Sequence, residues 1–347
     1  MAMASVLASA RAGLARRGAA RWGAGALVLL LLLAVPSLIT NQYHLAIIKQ
    51  LGITVILTLS FNLIFGYTGQ LSLAHATFYG IGAYGPPIFI TKLGWPIWLA
   101  VPVTLALCAV IAVVVGIPTL RLAGYYLAVA TLALATLAEV VVWQWQDLTG
   151  GAYGIQNIDP VVIFGTPLKG ANYYYVILGS VLLVLLLQRN LMASRIGRAF
   201  LAIRESESAA AAVGIGVAYY KVLAFAISAV LAATAGVVYT FDYLYVNPFM
   251  FGLENTFLWL FMVLVGGLGS AAGTIVGTIV LGLIPEVFAF VGEYYILVYG
   301  LVMIIVVLFF PTGLIGIAAR LGALRPGRQG ASTLAPGGEL APATERG

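Results

Sequence analysis

The sequence predicts an all-α, polytopic transmembrane helical bundle, and three observations predict it. Of 347 residues, 62% are hydrophobic and only 8% are charged, whereas a soluble domain carries about 25% charged residues. The apolar runs are roughly 20 residues long, the length of a helix that crosses a bilayer and far beyond the ~10 residues of a barrel strand. Most basic residues fall on alternate connections between those runs, with Lys92, Lys169 and Lys49 on the other side, as the positive-inside rule expects of a multi-span chain.

Taken in order, the runs give about ten spans, at 24–40, 45–65, 71–91, 97–117, 122–143, 172–188, 220–240, 254–267, 272–291 and 294–311. Residues 1–23 carry Arg11, Arg16, Arg17 and Arg21 and no acid, a composition that resembles a leader. The run behind them reaches Pro36 without a small-residue cleavage site, so a retained first span behind a basic cytoplasmic tail is expected. Parity then brings Arg121, the segment 189–221 with Arg189, Arg195, Arg198, Arg204 and Lys221, and the tail with Arg320, Arg325 and Arg328 to the same inner side. Both termini are expected in the cytoplasm around a transmembrane domain over 24–318. Residues 144–171, rich in turn residues and aromatics, read as an external loop, and 319–347 as a disordered cytoplasmic tail.

Several function classes are excluded at this point. The formal charge of +6 is spread singly or at span ends, which is a topology signal and not a nucleic-acid surface. Cys108 is the only cysteine, and His44 and His75 are the only histidines. No disulfide framework, metal site or nucleophile–base pair is expected from so few groups. The sequence also lacks a GxxxxGK[ST] phosphate loop, an HExxH and a GxSxG string. No catalytic residue, metal or cofactor is therefore expected.

The one sizeable charged segment is SRIGRAFLAIRESESAAAAVGI, residues 194–215. Ser194 can cap a helix that begins near Gly197, Ala209 to Ala212 favour helix, and Gly214 supplies a stop. Arg204 and Glu207 are three apart and can pair on such a helix. A short amphipathic helix over about 197–214 is expected, with Phe200, Leu201 and Ile203 among its apolar members. It reads either as a solvated loop helix or as a docking element for a soluble partner, with Arg198, Arg204, Glu205 and Glu207 setting the register.

GYTGQLSLAHATFYGIGAYG, residues 66–85, interrupts the apolar pattern with glycine and polar side chains. Gln70, Ser72, His75 and Thr77 can line a water-filled path, because irregular polar backbone is tolerated at membrane depth only against protein or water. The competing role is close packing. Ser72, Ala76 and Gly80 recur every four residues, as do Gly269, Gly273 and Gly277, and small-residue stripes let helices approach closely in lipid. Gly66 and Gly69 share that packing role, and GGLGSAAGTIVG near residue 266 echoes the first corner. Glu139 inside the fifth run is either a path residue or an end-of-span acid beside Trp143. Asp242, Glu254, Glu286 and Glu293 read as interfacial carboxylates, and Lys49 as a residue that snorkels or pairs near the outer edge.

Combined, GYTGQLSLAHATFYGIGAY, PTLRLAGYYLAVATLALATL, LTGGAYGI, the 194–215 segment with YKVLAFAISAVLAATAG, VLVGGLGSAAGTIVG and LFFPTGLIG resemble one family over residues 45–317. It is the membrane permease subunit of branched-chain amino-acid ABC importers, the leucine/isoleucine/valine type. The resemblance implies an inner-membrane permease that pairs with a second related permease, two cytoplasmic ABC ATPase subunits and an extracytoplasmic solute-binding protein. ATP hydrolysis would then occur on the partners and not on this chain. It also implies that the 197–214 helix is a coupling helix seated in an ATPase cleft. Such helices carry Glu-Ala-Ala-x-x-x-Gly; here Ser208 precedes Ala209 and Ala210, Gly214 is in place, and the acid stands one position earlier at Glu207. A urea or short-amide permease of the same superfamily is the nearest rival. A stand-alone secondary transporter would need ion-coupling acids deep in the membrane, for which only Glu139 is a candidate.

Overall fold

The computed structural model describes residues 30–39, 41–119, 125–163, 165–288 and positions 300, 301, 304 and 313. The expected basic tail, most of the 294–311 span, Arg121, Glu293 and the C-terminal tail lie outside the described residues. Residues 30–38 are helical, and the Tyr174 hydroxyl donates to the Leu32 carbonyl at 2.9 Å.

Helix α1 (Gln42–Phe61) starts at Asn41, whose side chain accepts from the Tyr43 N–H at 2.9 Å. A π-helical turn, Asn62–Gly66, continues it. Gly69, at φ +71°, then stops the chain: its N–H bonds to Phe65 O and that of Gln70 to Ile64 O, both at 3.1 Å. This paired closure is the usual way a left-handed glycine satisfies the last carbonyls of a helix. Residues 69–74 are non-helical, and α2 (His75–Leu93) begins only at His75. The helix expected over 71–91 is thus corrected at its start: Ser72 lies on unwound backbone and cannot share a helical stripe with Ala76 and Gly80.

Two long helices follow, α3 (Ile97–Thr119) and α4 (Tyr125–Gln144). The connection after them holds a helical turn at Gln146–Thr149, a 3₁₀ turn at Gly151–Tyr153 and a small hairpin pairing Val162–Ile163 with Thr166–Pro167. Helix α5 (Ala171–Ala193) leads to the charged segment, which is not one helix but two: α6 (Arg195–Glu205) and α7 (Glu207–Ala212). Ser206 breaks them with extended backbone (φ −163°, ψ 115°) and caps α7 by accepting from the Ala209 N–H at 3.3 Å. Short polar side chains that bond nearby N–H groups compete with helix in this way. Ser194 caps α6 and Gly214, at φ +84°, follows the end of α7.

Helix α8 (Val217–Tyr243) is the hub of the bundle and packs most extensively on α2, α3 and α1. Its buried face is built from Ala224, Ala229, Ala232, Ala233, Ala235 and Gly236. A Cβ on Gly236 would meet Ala83 N at 2.7 Å, so the backbones of α2 and α8 nearly touch. With the hydrophobic effect weak between helices in lipid, such dispersion contacts and interhelical hydrogen bonds hold the bundle. Thr240 donates to Ala83 O at 2.8 Å, Tyr173 to Val238 O at 3.1 Å, and the Thr58 and Thr278 hydroxyls lie 2.7 Å apart. Helices α9 (Leu253–Gly266) and α10 (Ala271–Val287) complete the described bundle.

The protein is an all-α helical membrane protein. Among the described residues, six helices are long and apolar enough to cross a bilayer, and α10 is a shorter apolar helix of 17 residues. The more polar α2 also runs 19 residues through the centre. Outward faces of α3 and α5 expose Val110, Val114, Ile117, Leu183, Leu186 and Leu187, as lipid contact requires.

Candidate functional site at the meeting of two glycine corners

Both glycine corners of the sequence lie at the same end of the bundle, and they touch. A Cβ on Gly66 would lie 2.6 Å from Gly269 N. The Asn62 side chain accepts from the Gly269 N–H at 2.9 Å, so the π turn of one corner fixes the backbone of the other. Gly267 (φ +111°) and Gly269 (φ +78°) carry the second corner, and Gly313 packs its backbone against Gly267.

Helix α6 enters the same junction. Arg204 Nη1 donates to Gly66 O, one of the carbonyls left open at the end of the first helix. A cation there also meets the negative end of the helix dipole. The aliphatic stem of Arg204 lies against Gly69, with Cγ 3.5 Å from where a Cβ would stand. The expected Arg204–Glu207 pair does not form: the break at Ser206 separates them, and Glu207 instead pairs with Lys221 of α8 at 2.5 Å.

The charged segment therefore has two faces. Phe200, Ile203 and Ala210 are buried against the bundle, with Arg204 and Glu207 making its polar attachments. Arg198, Leu201, Glu205, Ala209 and Gly214 face outward, and Val213 is 76% exposed.

The expected path residues are packed within this chain. Gln70, Ser72, His75 and Thr77 are all buried. Gln70 Nε2 donates to Thr68 Oγ1 at 2.9 Å, and the Leu73 N–H reaches Thr131 Oγ1 of α4 at 3.0 Å. The His75 ring rests on Phe61 with centroids 4.3 Å apart. Its nitrogens face the backbone of Ser60 and Ser72 at a geometry short of full hydrogen bonds. Glu139 is half-buried in α4, remote in sequence from this cluster, and makes no hydrogen bond or ion pair among the described residues.

Packing glycines are distributed differently from the expected stripes. Gly273 and Gly277 sit on α10 against Gly266 of α9, whereas Gly269 precedes that helix at a left-handed corner. Gly80 is buried on α2, but the close backbone approach to α8 occurs at Gly82.

At the opposite end of the bundle sequence reasoning missed an open cavity of about 420 Å³. It is lined from α1, α2, α8, α9, α10 and the 247–250 turn, by Gln50, Thr54, Tyr79, Asn247, Asn255 and Trp259 among others. Isolated Asn and Gln residues beside apolar runs were the available signal. Next to it, the largely buried side chains of Lys49 and Asp242 form an ion pair at 2.5 Å, one residue before the end of α8. Glu286 accepts a hydrogen bond from the Tyr43 hydroxyl, and Glu254 is exposed.

A multi-pass bundle, unwound in the middle of a helix pair and clasped by a short amphipathic segment, defines a transporter-type membrane subunit. Residues 43–307 match the family described as branched-chain amino acid transport system / permease component, and the chain belongs to that family. It is 30% identical over 314 residues to the high-affinity branched-chain amino acid transport system permease protein LivM of Escherichia coli, covering 83% of this chain and 74% of that one. It is 27% identical over 300 residues to the high-affinity branched-chain amino acid transport system permease protein BraD of Pseudomonas aeruginosa, covering 76% and 94%. LivH of Salmonella typhimurium is 26% identical over 281 residues, covering 75% and 90%. No solved structure matches the chain significantly.

Proposed function

We propose that the chain is one of two related permease subunits of an ATP-driven importer of branched-chain amino acids in the bacterial inner membrane. Two cytoplasmic ATPase subunits would grip the α6–α7 segment, and an extracytoplasmic solute-binding protein would deliver substrate at the other end. In this reading both termini are cytoplasmic, about ten spans cross the membrane, and hydrolysis takes place on the partners.

One observation carries the coupling role. The segment presents an exposed face of Arg198, Leu201, Glu205, Ala209 and Val213 while its buried face is fastened to the junction by Arg204. A displacement applied from outside would reach Gly66, Asn62 and Gly269 through direct contacts, at the point where the helix is already unwound. Broken membrane helices are where transporters place movable polar backbone.

The test is ATP-driven isoleucine uptake into vesicles bearing the assembled transporter. Uptake should stop when the ATPase partner is replaced by a hydrolysis-dead variant. Uptake that persists under a proton or sodium gradient alone would overturn the reading.

A further inference from the structure

We propose that the cavity remote from the glycine junction is a binding site for one zwitterionic amino acid with an aliphatic side chain. This rests on the importer reading and adds where the permease itself holds its cargo.

Charge comes first. Among the described residues no Asp, Glu, Lys, Arg or His lines the cavity, and the neighbouring Lys49 and Asp242 neutralise each other at 2.5 Å. A ligand with net charge would be desolvated there without a counter-ion, which is strongly unfavourable. A ligand whose charges sum to zero, with both ends hydrogen-bonded, avoids that cost.

The polar groups present match the two ends of a zwitterion. Asn247 Oδ1 is buried and has no hydrogen-bond partner among the described residues, so it is an acceptor in want of a donor such as an ammonium. Gln50 Oε1 accepts from the Tyr243 hydroxyl at 3.0 Å, which orients its amide and leaves the NH₂ to donate to a carboxylate. Asn255 Nδ2 is spent on the carbonyls of Phe249 and Met250 at 3.4 and 3.2 Å and steadies the turn that carries Asn247.

The remaining wall is aromatic and aliphatic. Tyr79 stands edge-on to Trp259 with centroids at 5.4 Å, and Tyr239 stacks on Tyr243 at 4.4 Å. Such rings are already fixed, so they bind a branched aliphatic chain with little ordering cost and can face an ammonium. Urea or a short amide would satisfy the amides but leave this wall without a partner. The volume is at the small end of ligand cavities. A packed cluster of Phe61, Leu73, Leu260 and Val263 forms a separate apolar core outside the cavity lining.

The experiment is substrate protection in the assembled transporter in membrane vesicles. Leu258→Cys and Thr54→Cys each place a thiol on the cavity wall, and the only native cysteine, Cys108, is fully buried. Each variant is labelled with a small methanethiosulfonate while L-leucine is titrated in. Labelling should slow about tenfold once leucine reaches about ten times its dissociation constant. L-lysine and urea at equal concentration should not slow it. Unchanged labelling under leucine, or equal protection by lysine or urea, overturns the site. Wild-type transporter that fails to import leucine at all would instead overturn the importer reading, which separates the two failures.

Discussion

Arg204 of α6 donates to the main-chain carbonyl of Gly66, at the turn where Asn62 also holds the Gly269 N–H. One side chain thus fastens the charged segment to both glycine corners. A hydrogen bond from a charged group contributes about 1.5–3 kcal/mol, so its loss should free the segment without unfolding the bundle. In the assembled transporter, Arg204→Gln should keep ATP hydrolysis but lower leucine uptake per ATP about tenfold or more, since about 1.4 kcal/mol is a factor of ten. Arg204→Lys should recover part of it. Hydrolysis and uptake falling in parallel would instead mark Arg204 as an ATPase contact.

Lys49 and Asp242 pair inside the bundle between α1 and α8, at the end occupied by the cavity. Removing one partner of a buried pair leaves an uncompensated charge and costs about 3–5 kcal/mol, whereas replacing both by apolar groups is often neutral. Asp242→Asn should therefore sharply lower the detergent-solubilised melting temperature, and Lys49→Met with Asp242→Leu should restore much of it. Equal stability of the single and double variants would show that the pair does not act as a unit.

Glu207 caps the other attachment of the segment through Lys221, whose side chain is buried while that of Glu207 is 52% exposed. Solvent at the acid limits the pair to about 0.2–1 kcal/mol, too little to govern folding. Glu207→Gln should leave expression and melting nearly unchanged. Its effect should appear as faster hydrogen exchange at the amides of 207–213, measured with the intact complex. Exchange unchanged from wild type would leave Arg204 as the anchor of record.

The elements legible in the sequence were those set by local rules. Ser194 as a cap, Gly214 as a stop and the apolar face of Phe200 and Ile203 needed only the chain nearby. Long apolar runs likewise announced their helices. What stayed hidden depended on distant partners. Glu207 chose Lys221 over Arg204 because the Ser206 break turns α7 away, and Ser206 can be read equally as a helix residue or a cap. Gln70, Ser72, His75 and Thr77 were picked out by polarity, but their burial follows from Phe61, Thr131 and the second corner packing over them. The cavity was missed because its wall is gathered from five helices and a turn, and isolated Asn and Gln residues are no motif in any one of them.

Gly82 and Gly236 make a backbone-close crossing of α2 and α8, and neither belonged to the stripes suggested by spacing alone. A Cβ at Gly82 would lie 2.5 Å from Ala233 Cα, and one at Gly236 would lie 2.7 Å from Ala83 N. Backbone atoms cannot swing aside as a side-chain tip can, so the helices themselves must separate. Overpacking of this kind costs about 1–3 kcal/mol, and separation would also stretch the Thr240–Ala83 hydrogen bond of 2.8 Å. Gly82→Ala and Gly236→Ala should each lower the melting temperature and the yield of assembled transporter. Gly179→Ala, where a Cβ meets nothing within 4 Å on α5, should not. Equal tolerance of all three substitutions would mean that α2 and α8 are not held at contact distance.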